Sequence, residues 1–315
     1  MVQNGSFEND ANNIRFDEKN FLRKARLKST LRIILISLGV AIGVFMLSFV
    51  LPEILLQNQE NRINEFYPDL VKFSEPNTIA LRGKSYNVRL FGRQLEYYLI
   101  RLIADKPYPA GTTTVDFDIW GGEQTMSNPA FSVLQASKLS ISIPEGAKEY
   151  IAPYAVPKLR FYHPAANHEN IAREFDALKN IPRDNLVEMA LSFKKPLTFD
   201  EMKALMPGDL KLMWGAVSVF KDEDYKKKNY LDERLVGNPY LADRNGEKEF
   251  VNDLERLGNI PSYHSDNIKR TTDYLKENGI KYYGVVAVGS PSSLEKLSSN
   301  QMITGAVLGI VTTSY

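Results

Sequence analysis

"LSFKKPLTFDEMKALMPGDLKLMW", residues Leu191–Trp214, reads as strand, short helix, strand. Thr198 followed three residues later by Glu201 is a capping box, in which a hydroxyl and a carboxylate each satisfy an orphan backbone N–H. It opens a helix over Phe199 to Leu205, and Pro207-Gly208 stops it. The flanking strands are "NLVEMALSF" (Asn185–Phe193) and "LKLMWGAVSVF" (Leu210–Phe220). The end of the chain repeats this order. "IKYYGVVAVG" (Ile280–Gly289) is a strand, Ser292 and Glu295 form a second capping box ahead of a helix Ser293–Leu297, and "MITGAVLGIVTT" (Met302–Thr313) is the last strand. A β-α-β unit, an insertion and a second β-α-β unit give a ferredoxin-like sheet with helices on one face. The insertion is polar from Lys221 and carries helices over Phe250–Leu257 and Ser265–Asn278. With the helical "IAREFDALKN" (Ile171–Asn180) in front, this makes a C-terminal α+β domain over 166–315.

Upstream, residues 52–165 read as a helical stalk followed by a β-rich region. The stalk runs from Glu53 to Phe73, with Ile54, Leu55, Ile63, Phe66 and Leu70 apolar. "NTIALRGKSYNVRL" (Asn77–Leu90) suggests a hairpin around Gly83-Lys84. "QLEYYLIRLI" (Gln94–Ile103), "TTVDFDIW" (Thr113–Trp120), "SKLSISIP" (Ser137–Pro144) and "VPKLRFY" (Val156–Tyr162) read as strands. Asp116 and Asp118 are two apart, which places both on one strand face, most simply the wet one.

Ile33 to Leu51 contains no charged side chain, and Ser37 and Ser48 are its polar breaks. At about 1.5 Å per residue such a helix covers roughly the ~30 Å hydrocarbon core of a bilayer. A signal-peptide apolar region is shorter and ends at small residues. This run ends at Pro52-Glu53, so the expectation is an uncleaved transmembrane helix over 33–51. Arg23, Lys24, Arg26, Lys28 and Arg32 precede it, and Glu53, Glu60, Arg62 and Glu65 follow. The positive-inside rule then places residues 1–32 in the cytoplasm as a basic tail and the remainder outside. Gly39 and Gly43 form a G-x-x-x-G pair, which permits close helix packing and a homodimer, although such pairs are common by chance. The first dozen residues have a disordered composition. Phe21, Leu22 and Ala25 share one helical face, fit to meet either a protein partner or, with the basic run, anionic lipid.

Net charge of +1 over 315 residues points to neither nucleic acid nor an acidic partner. The chain has no cysteine, which removes disulfides, thiolate zinc sites and thiol nucleophiles. No nucleophile elbow, P-loop, zincin motif or dinucleotide fingerprint occurs. His163, His168 and His264 lack metal-ligand spacing, and the first two read as surface-loop residues. "VGSPSS" (Val288–Ser293) suits an anion or, more simply, an N-cap. The expectation is therefore no catalytic, metal or cofactor-binding residue.

"FLRKARLKSTLRIILISL" (Phe21–Leu38), "VEMALSFKKPLTFDEMKALMPGDLKLMWGAVS" (Val187–Ser218) and "YYGVVAVGSPSSLEKLSSNQMITGAVLGIV" (Tyr282–Val311) resemble the bacterial sigma factor regulator family. The resemblance implies a membrane-bound protein like an anti-sigma factor. An outer sensing domain would control an extracytoplasmic-function sigma factor, directly or through a small membrane partner. This chain lacks the His-x-x-x-Cys-x-x-Cys segment of many anti-sigma factors, and its cytoplasmic tail is short, which favours a helix contact or an accessory role. The rival reading is an envelope-binding or scaffold protein whose tail only anchors.

Overall fold

The computed structural model describes residues 18–89, 91–121, 123–124, 131–132, 150–151, 156–227, 236–262 and 264–313. Among sequence expectations, the composition of the first dozen residues and the Ser137–Pro144 strand lie outside them. The architecture is mixed α+β, and the chain divides into two compact units at Ile54/Leu55. In the first, α1 covers Glu18–Phe45 and one π-helical turn covers Met46–Val50. Its apolar side chains from Ile33 to Phe49 are exposed on all sides, as a helix needs when lipid is its solvent. The helical run Lys19–Ser74 is long and apolar enough to cross a membrane.

The second unit starts within α2 (Leu51–Ser74), whose buried stripe Leu56, Glu60, Ile63, Tyr67 and Val71 recurs at helical spacing. Three long strands follow, β1 (Thr78–Arg89), β2 (Gly92–Ile103) and β3 (Lys106–Asp118), with the short β4 (Glu123–Gln124) at the edge. They form an antiparallel meander in sequence order. Val115 and Phe117 point inward and Asp116 and Asp118 alternate with them, as the spacing of two predicts.

The hairpin expected at Gly83-Lys84 does not form. β1 continues through this point with a bulge between Arg82 and Ser85, and the chain reverses between Arg89 and Gly92. Glycine is needed there for another reason: a Cβ on Gly83 would lie 2.5 Å from the Glu96 carbonyl oxygen of the neighbouring strand.

β5 (Phe131–Ser132), β6 (Tyr150–Ile151) and β7 (Val156–Pro157) make a small third sheet. Only Val156 and Pro157 of the strand expected over Val156–Tyr162 are paired; the rest is coil that covers one face of the large sheet. The helix expected over Ile171–Asn180 is a 3₁₀ helix, Glu174–Asn180.

The large sheet comprises β8 (Asn185–Leu197), β9 (Lys211–Val217), β10 (Gly237–Asn238), β11 (Tyr282–Gly289) and β12 (Ile303–Thr313). Its order is β10-β9-β11-β8-β12, with every neighbouring pair antiparallel. The helices are α3 (Phe199–Leu205), α4 (Asp222–Lys227), α5 (Asn245–Asn259), α6 (Ser265–Asn278) and α7 (Pro291–Glu295). Side chains two apart share a strand face. Val187, Met189, Leu191 and Phe193 of β8 accordingly meet Met202, Phe250, Leu254 and Leu294 from the helices. Ala190 faces the other way, with Trp214 and Val286, onto Leu159 and Tyr162 of the covering coil.

The capping box at α3 forms as read. Glu201 N donates to Thr198 Oγ1 at 3.4 Å, and Thr198 N donates to Glu201 Oε2 at 2.8 Å. Thr198→Ala is expected to cost about 1 kcal/mol of stability, measured as a lowered chemical-denaturation midpoint, with Thr198→Ser near wild type. The second box is displaced. The N-cap of α7 is Ser290, whose hydroxyl accepts from Ser293 N at 3.2 Å, not Ser292. Pro291 at the first helical position sets this start, because it has the right φ and no N–H to satisfy.

Candidate functional site

α2 contributes to two hydrophobic cores, that of the meander and that of the C-terminal sheet and helices. Its stripe Leu56, Ile63, Tyr67 and Val71 packs on Leu95, Tyr97, Leu99, Val115 and Phe117 of the meander. In the middle of this apolar contact stands Glu60, 5% exposed. A buried carboxylate needs partners, and two arginines supply them: Arg82 Nη2 at 2.7 Å and Arg93 Nη1 at 2.9 Å. One turn on, Tyr97 OH donates to Asn64 Oδ1 at 2.8 Å, and the rings of Tyr67 and Tyr97 are 4.6 Å apart. Burial pushes the Tyr67 phenol up to about 12, so it stays protonated. Gln59 Oε1 and Asn64 Nδ2 of α2 are buried without a protein hydrogen-bond partner. Each such atom costs about 1–3 kcal/mol, so the contact is held by apolar surface and charge while its polar centre is under-satisfied.

The opposite side of α2 belongs to the C-terminal core. Phe73 meets Phe250 of α5 edge-on at 5.5 Å, and Phe66 stacks on His264 at 6.2 Å. Asp69 pairs with Arg256. Lys72 Nζ donates to Tyr240 OH at 2.5 Å, and the phenol in turn donates to Asp253. Trp214 Nε1 donates to the Lys72 carbonyl at 3.1 Å, closing one of the orphan acceptors of the last turn.

Where α2 ends, a second buried ionic group joins the meander to the large sheet. Glu188 of β8 is 0% exposed and Arg101 of β2 is 1% exposed, with Nη1 and Oε2 3.5 Å apart. Glu188 also accepts from Asn77 Nδ2 at 3.1 Å and from Ile310 N of β12 at 3.1 Å. Arg101 Nη1 donates to the Pro157 carbonyl at 2.8 Å. Asn77 follows α2 by three residues and has φ +56, a left-handed conformation that asparagine tolerates. A Cβ on Gly309 would sit 2.4 Å from Glu188 Oε2, so the bare backbone of β12 makes room for the carboxylate.

The expected tail and span residues occupy the first unit. Phe21 and Leu22 are 58% and 52% exposed, and Ala25 follows on the same helix. Nothing lies within 4 Å of a Cβ built on Gly39 or Gly43. The grip on α2 is made by residues the sequence reading did not select. The ionic group that joins the meander to the large sheet did carry a signal: Glu188 in "LVEMALSF" and Arg101 in "YYLIRLI" are lone charges within apolar strands, and a lone charge in a core strand demands a partner.

His163 is corrected from a surface residue to a buried one, 4% exposed. Its ring lies flat on Tyr225 at 3.5 Å. Ala165 N donates to Nδ1 at 3.2 Å, so the proton sits on Nε2, 3.1 Å from Ser218 Oγ. His168 Nε2 bonds the His163 carbonyl at 2.9 Å. Among the described residues no group of three metal-ligating side chains occurs.

Burial lowers the His163 pKa to about 4, with Asp222 opposing and His168 assisting. The folded pKa is below the unfolded value, so the unfolded chain takes up the proton first. The stability this neutral ring gives is full above pH 6.5 and is lost as pH falls toward 4. The loss is roughly 3 kcal/mol at about 1.4 kcal/mol per unit. Melting temperature should fall over this window, and His163→Gln should flatten the pH dependence.

Comparison with known proteins matches two stretches of the chain, the first of which crosses the Ile54/Leu55 boundary. Residues 19–108 match the sigma factor regulator N-terminal family and residues 178–310 match the sigma factor regulator C-terminal family. A probable anti-sigma-M factor of Bacillus subtilis (strain 168), YhdL, is 21% identical over 259 residues, 76% of this chain and 66% of its own length. The chain thus spans just under two thirds of that relative. No solved structure matches.

Proposed function

The chain belongs to the sigma factor regulator family, and from that premise we propose that it is a single-pass membrane regulator acting as an anti-sigma factor. Residues 1–32 form a basic cytoplasmic tail, 33–51 the span, and 52–315 an outer portion that senses the envelope. The outer portion comprises the stalk and β-rich region to 165 and a ferredoxin-like domain from 166. The antiparallel order β9-β11-β8-β12, with short helices after β8 and β11, supports that last assignment. Five basic residues ahead of the apolar run and three acids after it support the orientation. The partner is an extracytoplasmic-function sigma factor or a small membrane protein bound to one. Phe21, Leu22 and Ala25 are the tail positions offered to it. Gly39 and Gly43 are the packing positions for a homodimer.

The observation that carries this reading is α2. Transmission needs an element with two arrangements that a signal can bias. α2 follows the apolar run directly in sequence and is buried on both sides, yet its contact with the meander centres on charged and under-satisfied groups. Such a contact has apolar surface to hold it and polar groups that gain when it shifts. Deleting residues 1–32 while keeping the span is expected to raise transcription from one stress regulon, measured by genome-wide transcript counts. If no regulon responds, the regulatory reading fails.

A further inference from the structure

We infer that the C-terminal domain binds an extended peptide segment, which adds as a strand beside β9. β10 pairs with β9 only at Gly237↔Ala216 and Asn238↔Gly215. The ladder stops because Pro239 has no N–H to donate, and because the Asn238 side chain takes the Tyr240 N–H at 2.8 Å and turns the chain away. On that side Lys211–Met213 of β9 has no strand partner among the described residues. At ~3.4 Å per residue this is about 10 Å of open edge. A cavity of about 660 Å³ lies along it. Its volume is within the roughly 300–1,000 Å³ of ligand sites.

The walls have the chemistry of a peptide receptor. Met206, Leu212 and Tyr240 give apolar surface. The α3–β9 side supplies Lys203, with Lys211 beside it paired to Asp105, and the side leading into α5 supplies Glu249, with Asp243 beside it capping Asn245 N and Gly246 N. Walls of both signs beside an unpaired strand edge suit a peptide with main-chain groups for the edge and one acidic and one basic side chain. In strand addition the backbone hydrogen bonds provide affinity and the side-chain pockets specificity. Tyr240 lines this cavity and also receives Lys72 of α2.

The test is direct binding, independent of any regulatory output. A phage-displayed library of random heptapeptides is panned against the full chain in lipid nanodiscs, and the enriched peptide is synthesised plain and with alternate amides N-methylated. Enrichment of sequences bearing an acid and a base is expected. Gly208→Phe should weaken the peptide at least tenfold, because Gly208 lines the cavity and an added Cβ meets nothing within 4 Å, so a ring can be placed there without displacing the fold. Ala242→Trp, an exposed position on the opposite wall, should do the same and stands in should the first variant melt early. N-methylation of one alternate set of amides should abolish binding. No enrichment, unchanged affinity in both folded variants, or binding that survives both methylation patterns overturns the proposal.

Discussion

Arg101→Met is expected to destabilise the fold by about 3–5 kcal/mol, read as a drop in the urea midpoint of the full chain in detergent micelles. The reason is what it leaves behind. Glu188 is left at 0% exposure without its cationic partner, and among the described residues Asn77 Nδ2 and Ile310 N are the donors that remain to it. Losing a partner costs more than a matched ion pair gains, because the survivor bears the full desolvation penalty. Arg101→Met combined with Glu188→Gln removes both charges and keeps an amide oxygen as acceptor. It should therefore recover more than half of the loss. A double variant no more stable than Arg101→Met would mean that the aliphatic stem of arginine, not the charge, matters at this junction.

Trp214→Ala is the second large effect, again about 3–5 kcal/mol. The indole is fully buried, and a Cβ on Gly237 would lie 2.1 Å from it, so β10 is laid flat on the ring. Truncation opens a cavity under β10 and also removes the donor to the Lys72 carbonyl. Trp214→Phe separates the two contributions. It keeps most of the apolar volume and loses the N–H, for about 1 kcal/mol plus the smaller ring's packing loss. In the regulatory reading this milder variant is the informative one. It loosens the last turn of α2 without unfolding the domain, and regulon transcription should move while the melting temperature stays within a few degrees. A wild-type transcript profile in Trp214→Phe would place signal transmission elsewhere.

The capping residues and apolar runs of the C-terminal domain carried their meaning locally. Thr198, Glu201 and Pro207-Gly208 bound α3 because caps and breakers act within one turn, and Ser265–Asn278 was legible because helical spacing is a short-range pattern. The misreadings arose where the deciding atom is distant in sequence. Gly83 reads as a turn residue, yet its role is set by the Glu96 carbonyl on the next strand. His163 sits in a polar, proline-containing stretch, and its burial depends on Tyr225 arriving from the insertion. The grip on α2 was hidden for the same reason. Nothing near Lys72 announces Tyr240 or Trp214, and Glu60 on a helix resembles any solvated acid until Arg82 and Arg93 are placed beside it.

α2 is made early, and its walls are made late. Lys72 waits 168 residues for Tyr240, and Asp69 waits 187 for Arg256. Glu188 waits 122 residues for the Ile310 amide that completes its shell. Contacts this far apart slow folding, so a nascent chain passes through a long interval in which an amphipathic helix and a bare carboxylate are synthesised but unhoused. A product stopped short of β12 would retain that acidic side chain in an unfinished sheet, and it would be recognisable to proteases as incomplete at its far end although the defect lies in its middle.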